Sequence, residues 1–148
     1  MPRKPLQAAL MATPDETEAQ FYEAIQHADV ERMMALWADD DDIACIHPGG
    51  PRQVGMHAIR AAFEALFAQG GVDARATQVR RVVVGNCAIH HVLEEVRVAT
   101  PEGPRSAWVL ATNAYVKTPM GWRLMLHHAS PGSPLGSHEV SDEPSMLH

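Results

Sequence analysis

The chain has only two cysteines in 148 residues, Cys45 and Cys87, and no CxxC spacing. That excludes a cysteine zinc knuckle, a dithiol redox centre and a disulfide framework. Each cysteine sits in an apolar, strand-like run, where a free thiol behaves as a small hydrophobe. A reduced, cytoplasmic protein is expected, with a single bridge between the two as the remaining alternative. No apolar run approaches the ~20 residues of a membrane span. Residues 5–12, behind Arg3 and Lys4, are too short and too mixed for a signal-peptide core. No glycine-rich phosphate loop and no compact metal-ligand spacing occur, so no cofactor is expected. Basic residues are outnumbered, 12 against 18 acidic, for a net charge of -6. Nucleic-acid partners call for a clustered basic face, and the only dense charge block here, at 39–42, is acidic.

What remains is ordinary for a globular domain: 46% apolar and 20% charged residues. The length suits one domain with a real core. Residues 1–13 read as a loose lead-in and 132–148, rich in Pro, Ser, Gly and His, as a flexible tail. Thr13-Pro14-Asp15-Glu16 opens a helix with a capping residue, a proline at its first position and acids at its positive end. Asp29 caps a second, short helix carrying Val30, Met33, Met34 and Trp37 on one stripe. A strand over 43–47 ends at His47-Pro48. A third helix over 56–69 stops at Gly70-Gly71. Four strand-like runs follow, at about 76–84, 87–98, 105–117 and 122–130. Gaps this short between long strands imply antiparallel hairpins. Helices first and a meander afterwards make an α+β fold, with the helices closing a curved antiparallel sheet into a cone around a ligand cavity.

Three stretches carry a family resemblance: Ala28-Asp29-Val30 with Trp37-Ala38-Asp39-Asp40; His47-Pro48 with Gly55 and Ile59; and Gly121-Trp122-Arg123-Leu124 with His128-Ala129-Ser130. They resemble the nuclear transport factor 2-like superfamily and, within it, SnoaL-like and ketosteroid isomerase-like proteins. The last strand is also similar to the association domain of calmodulin-dependent kinase II. The resemblance covers about residues 14–131 and implies a cone-shaped, cystatin-like fold in which three N-terminal helices pack on the sheet. Its isomerase members imply a base before a proline at the first strand's end, where His47 stands. They imply one oxyanion donor at the position of Phe21, which has no hydroxyl, and another at that of Asn113, which still has an N–H to give.

Strand alternation then sorts the candidates. Cys45 shares the face of His47. Tyr115, Ala111 and Val109 share that of Asn113, with Trp108, Leu110 and Thr112 opposite. Leu126, His128 and Ser130 are expected beside Trp122 and Leu124, and His91 beside Ile89, Leu93 and Glu95. The expected site is therefore His47 as proton-transfer residue with Asn113, lined by Phe21, Trp37, Cys45, His91, Tyr115, Leu126 and His128. An imidazole with its ordinary pKa near 6.5 can accept a proton at neutral pH. The neighbouring pairs His90-His91 and His127-His128 point to opposite faces and cannot chelate together, so no metal is expected. The outward stripe of Trp108 and Leu110 predicts a homodimer interface. The function expected is binding of a small apolar molecule, with acid–base isomerase, cyclase or hydratase chemistry. The alternative is a non-catalytic binding or oligomerisation module.

Overall fold

A computed structural model describes residues 11–134 and 138–142. Most of the segments expected to be loose, 1–13 and 132–148, lies outside the described residues. Helix α1 (Pro14–His27) begins with a complete capping box: Thr13 accepts from the Glu16 N–H while the Glu16 side chain accepts from the Thr13 N–H. Ala28, in the left-handed region, closes it. Asp29 caps α2 (Val30–Ala35) by accepting from Arg32 N–H. Two short strands, β1 (Ala44–Ile46) and β2 (Arg52–Val54), lead into α3 (Met56–Phe67). Gly70, at φ +104, turns the chain out of that helix.

The long strands are β3 (Asp73–Val84), β4 (Cys87–Thr100), β5 (Gly103–Thr118) and β6 (Gly121–Pro131). The six strands form one sheet in the order β2-β1-β6-β5-β4-β3. The meander β3 to β6 is antiparallel, as the short gaps require. The sheet as a whole is mixed, which corrects the expectation of an antiparallel one. β1 lies beside β6 in the parallel sense, with Cys45 opposite His127.

Two irregularities decide which side chains point inward. In β3 the register slips between Thr77 and Arg80, where Gln78 adopts φ 43. In β6 Met125 is an extra residue: Ala114 pairs with Leu126, but Tyr115 pairs with Leu124. A bulge of this kind reverses the alternation beyond it. Trp122 and Leu124 face the core before it, and His127 and Ala129 after it.

The core gathers Phe21, Tyr22 and Ile25 of α1, Met33 and Met34 of α2, and Ile59 and Phe63 of α3 with Val92, Ala111, Tyr115 and Leu124 of the sheet. Thr17, fully buried, ties α1 to β6 by donating to the Trp122 carbonyl at 2.9 Å. Among the described residues no helix is long and apolar enough to cross a membrane.

Candidate functional site

Between α1 and the sheet the interior is polar. Glu18 and Tyr22, one turn apart on α1, meet His90 and Glu94 of β4 and Asn113 and Tyr115 of β5. Register explains the meeting, because His90 pairs directly with Asn113, which in turn pairs with His127. Glu18 Oε2 accepts from Tyr115 OH at 2.7 Å and Asn113 Nδ2 at 3.2 Å, and faces His90 Nδ1 at 3.0 Å. Tyr22 OH donates to Glu94 Oε2 at 2.6 Å and accepts from Asn113 Nδ2 at 3.2 Å. His127 Nδ1 lies 2.6 Å from Asn113 Oδ1.

Both N–H groups of Asn113 are committed to oxygen acceptors, so its Oδ1 is the atom facing His127. The imidazole must then donate from Nδ1, which leaves its lone pair on Nε2. That Nε2 has no partner among the described residues. Trp37 Nε1 is the one fully enclosed, unpartnered side-chain polar atom there, so His127 Nε2 is not itself fully enclosed. Burial pushes the His127 pKa down to about 3, helped by the nearby His47 and His128. His127 is therefore a neutral base with a fixed tautomer.

His47 follows β1 and is half-buried. Its ring stands edge-on to Phe63 at 5.1 Å and 6.2 Å from the His127 ring. Burial also lowers its pKa. Cys45 Sγ lies 3.8 Å from His47 Nε2. Its thiol is pushed up to about 12, first by burial and then by the charge of Glu94, so it is a protonated neighbour and not a nucleophile. Burial likewise raises Glu94 to about 6, with Glu18 adding repulsion against the opposing Tyr22 hydrogen bond. The hydroxyls of Tyr22 and Tyr115 are held well above their ordinary value, mainly by burial.

The structure thus brings together Phe21, Cys45, His47, Asn113 and Tyr115. Phe21 packs on Tyr22, Phe63 and His127, with ring centroids 5.0, 6.3 and 4.9 Å away. Three expectations are corrected. His91 and His128 are exposed on the outer sheet face, where they flank Thr112 in register, and Leu126 turns outward with them. For Leu126 and His128 the cause is the Met125 bulge. For His91 it is the pairing of Asn113 with His90, which reverses the assumed phase of β4. Trp37 is buried, bridges Leu124 and lines a separate hollow. Asn113 has no N–H left for an oxyanion.

Phe21 and Phe63 pack in the interior beside the polar network, and His47 is half-buried next to them. Two hollows lie elsewhere. One of about 620 Å³ sits on the outer face, between His91, Thr112 and His128 and the segment 138–142. The other, about 490 Å³, is at the β5–β6 turn.

Asp15, Glu18 and His90 place ligand-type atoms within 4.8 Å of one another. Glu18 lies at Nδ1 of His90, whereas Asp15 lies 3.9 Å from its Nε2. The two ring lone-pair directions diverge, so one ion cannot use both contacts. His90 makes a hydrogen-bond contact with Glu18 alone, while Asp15, paired with Arg81, stays beyond hydrogen-bond reach of the ring. Sequence reasoning missed Glu18, Tyr22, His90, Glu94 and His127. The available signal was the spacing of Glu18 and Tyr22 on a face otherwise lined by Phe21 and Ile25.

The family model for the SnoaL-like domain matches residues 15–134, and the chain belongs to that family. A solved structure from Thiobacillus denitrificans, provisionally described as a calcium/calmodulin-dependent protein kinase type II association domain, is 34% identical. The match covers 84% of this chain and 98% of that one, with a TM-score of 0.76. A protein from Streptomyces avermitilis, provisionally described as a dehydratase of the NTF2-like family, is 28% identical over 79% of this chain and 92% of its own, with a TM-score of 0.71. An NTF2-like protein with a cystatin-like fold from Novosphingobium aromaticivorans matches at 18% identity, over 90% of this chain and 85% of its own, with a TM-score of 0.69. No curated protein matches the chain.

Proposed function

We propose that this SnoaL-like domain binds a small, largely apolar organic molecule and moves a proton on it without a cofactor, in an isomerase-, cyclase- or hydratase-type reaction. His47 is the proton-transfer residue at the substrate side, and His127 behind it is the oriented base. Asn113 acts through His127 by fixing its tautomer. The observation that carries this reading is the His127–Asn113 contact at 2.6 Å, anchored in turn by Glu18 and Tyr22. Burying several titratable groups in one interior costs desolvation free energy, and such clusters are characteristic of sites where protons move. The 28% identical relative provisionally described as a dehydratase supports the same reading.

The test begins with native mass spectrometry of the purified protein to identify a retained molecule. Turnover of that molecule is then followed in His47→Ala and His127→Gln. Turnover lost with binding retained supports proton transfer. Unchanged turnover in both variants removes the imidazoles from the mechanism.

A second reading is an assembly module, and one observation favours it. Val82, Ile89 and Leu110 stand exposed on the outer face of the sheet, and the 34% identical relative is provisionally described as an association domain. A homodimer paired through this face, around Trp108 and Leu110, is compatible with either reading.

A further inference from the structure

The hollow at the β5–β6 turn is separate from the polar interior and has its own chemistry. Arg123 and Val116, which pair in register, form its floor with Met125. Pro119 and Met120 of the turn form one wall, and Trp37 with Asp39 and Asp40 forms the other. Arg123 is almost wholly buried, yet the only partner of its guanidinium among the described residues is the Trp122 carbonyl, at 3.1 Å. Burial lowers its pKa. A guanidinium presents five donors in a planar fork, so most of its capacity to bind an anion is unused.

Trp37, 3% exposed, also lines the hollow, and its enclosed indole N–H has no acceptor among the described residues. Such a donor carries an uncompensated desolvation cost until an acceptor reaches it. On the other side Asp39 and Asp40 are exposed, and among the described residues only Asp40 Oδ1 is engaged, by the Asp42 N–H at 2.8 Å. A simple acid would meet Arg123 but be repelled by two carboxylates. A simple amine would leave Arg123 unmatched. A neutral molecule would satisfy neither side.

We infer that this hollow is a binding site for a small zwitterion of the amino-acid type with an apolar side chain. Its carboxylate sits at Arg123, its ammonium at Asp39 and Asp40, and its side chain lies on Val116, Met125 and Met120. The volume of about 490 Å³ is that of a small-molecule pocket.

The test uses the uniformly 15N-labelled full chain. The indole Nε1–H resonance of Trp37, identified by its loss in Trp37→Phe, is followed during titration with L-leucine, with 4-methylpentanoate and with 3-methylbutylamine. Leucine is expected to shift that resonance saturably, and each half-ligand to bind roughly ten-fold more weakly or worse. Arg123→Gln should reduce leucine to the affinity of the amine. Asp39→Asn combined with Asp40→Asn should reduce it to that of the acid. An unmoved Trp37 resonance, or half-ligands that bind wild type as well as leucine does, overturns the inference. The three-ligand comparison on wild type decides it even where a variant fails to fold.

Discussion

His127 donates from Nδ1 to Asn113 Oδ1 across 2.6 Å, and Asn113 has no freedom to turn over, because Glu18 and Tyr22 hold its other end. An imidazole fixed in this way keeps one tautomer and stays neutral far below the ordinary histidine range. Nitrogen chemical shifts of His127 should report the Nδ1–H form down to about pH 3, the value to which burial depresses it. His47 should titrate below an ordinary histidine, because burial disfavours its charged form. Asn113→Asp puts an anionic acceptor beside the ring and should raise the His127 pKa. A titration of His127 near 6.5 in wild type would contradict the buried arrangement.

The same depression has a consequence for stability. Above pH 6.5 His127 is neutral in both folded and unfolded chains. Below it the unfolded chain takes a proton that the folded one refuses, so stability is lost as pH falls from 6.5 toward 3. The slope is about 1.4 kcal/mol per pH unit for one such group. His127→Gln keeps an N–H for Asn113 but cannot protonate, and the unfolding free energy of this variant should fall less steeply over that window. Denaturant melts of both proteins at several pH values measure the difference.

Glu94 acts in the opposite sense. Its carboxyl is raised from 4.5 to about 6, chiefly by burial. Below 4.5 it is protonated in both states and the stability is fully present. As pH rises from 4.5 through 6 the unfolded chain ionises first and stability falls, by about 2 kcal/mol in all. Glu94→Gln preserves an acceptor for Tyr22 OH and should remove that decline. Paired melts of wild type and variant at pH 4.5 and 7 test it.

The sequence disclosed the fold because its punctuation is strong. Thr13, Pro14 and Asp29 mark helix starts, Gly70 marks a stop, and short turns between long runs admit only hairpins. The site was legible only in part. Alternation counted forward from Trp122 puts His128 inside, and only the pairing register shows that Met125 is an extra residue. On β4 nothing in the local pattern distinguishes the face of His90 from that of His91. That choice is made across the sheet by Asn113. The parallel seating of β1 beside β6 is also a long-range event. It puts Cys45 opposite His127 and so brings His47 near it.

The outer face carries a separate prediction. Leu110 is 40% exposed there, in register with Leu93 and Ser130. Leu110→Glu combined with Trp108→Glu should convert a homodimer to a monomer in sedimentation velocity, since two carboxylates on an apolar interface cannot be desolvated cheaply. Unchanged sedimentation of a dimer would place the interface elsewhere.

The junction between α3 and β3 depends on one atom that is absent. Gly71 lies so close to the end of α1 that a Cβ there would meet the Gln26 carbonyl oxygen at 1.9 Å and its carbon at 2.7 Å. These are backbone atoms, and they cannot rotate aside as a side chain can. The next residue, Val72, donates its N–H to the Ile25 carbonyl at 3.1 Å, so the chain cannot withdraw without losing that bond. Gly71→Ala should therefore destabilise the protein by about 1–3 kcal/mol, in the range of overpacking a filled core, despite restricting the unfolded chain in its favour. Gly70→Ala is the control. Nothing lies within 4 Å of its Cβ position, and its cost is that of φ +104 alone. Thermal melts of the three proteins decide it. A Gly71→Ala protein as stable as wild type would mean that α1 and β3 do not approach as closely as the capping and register imply.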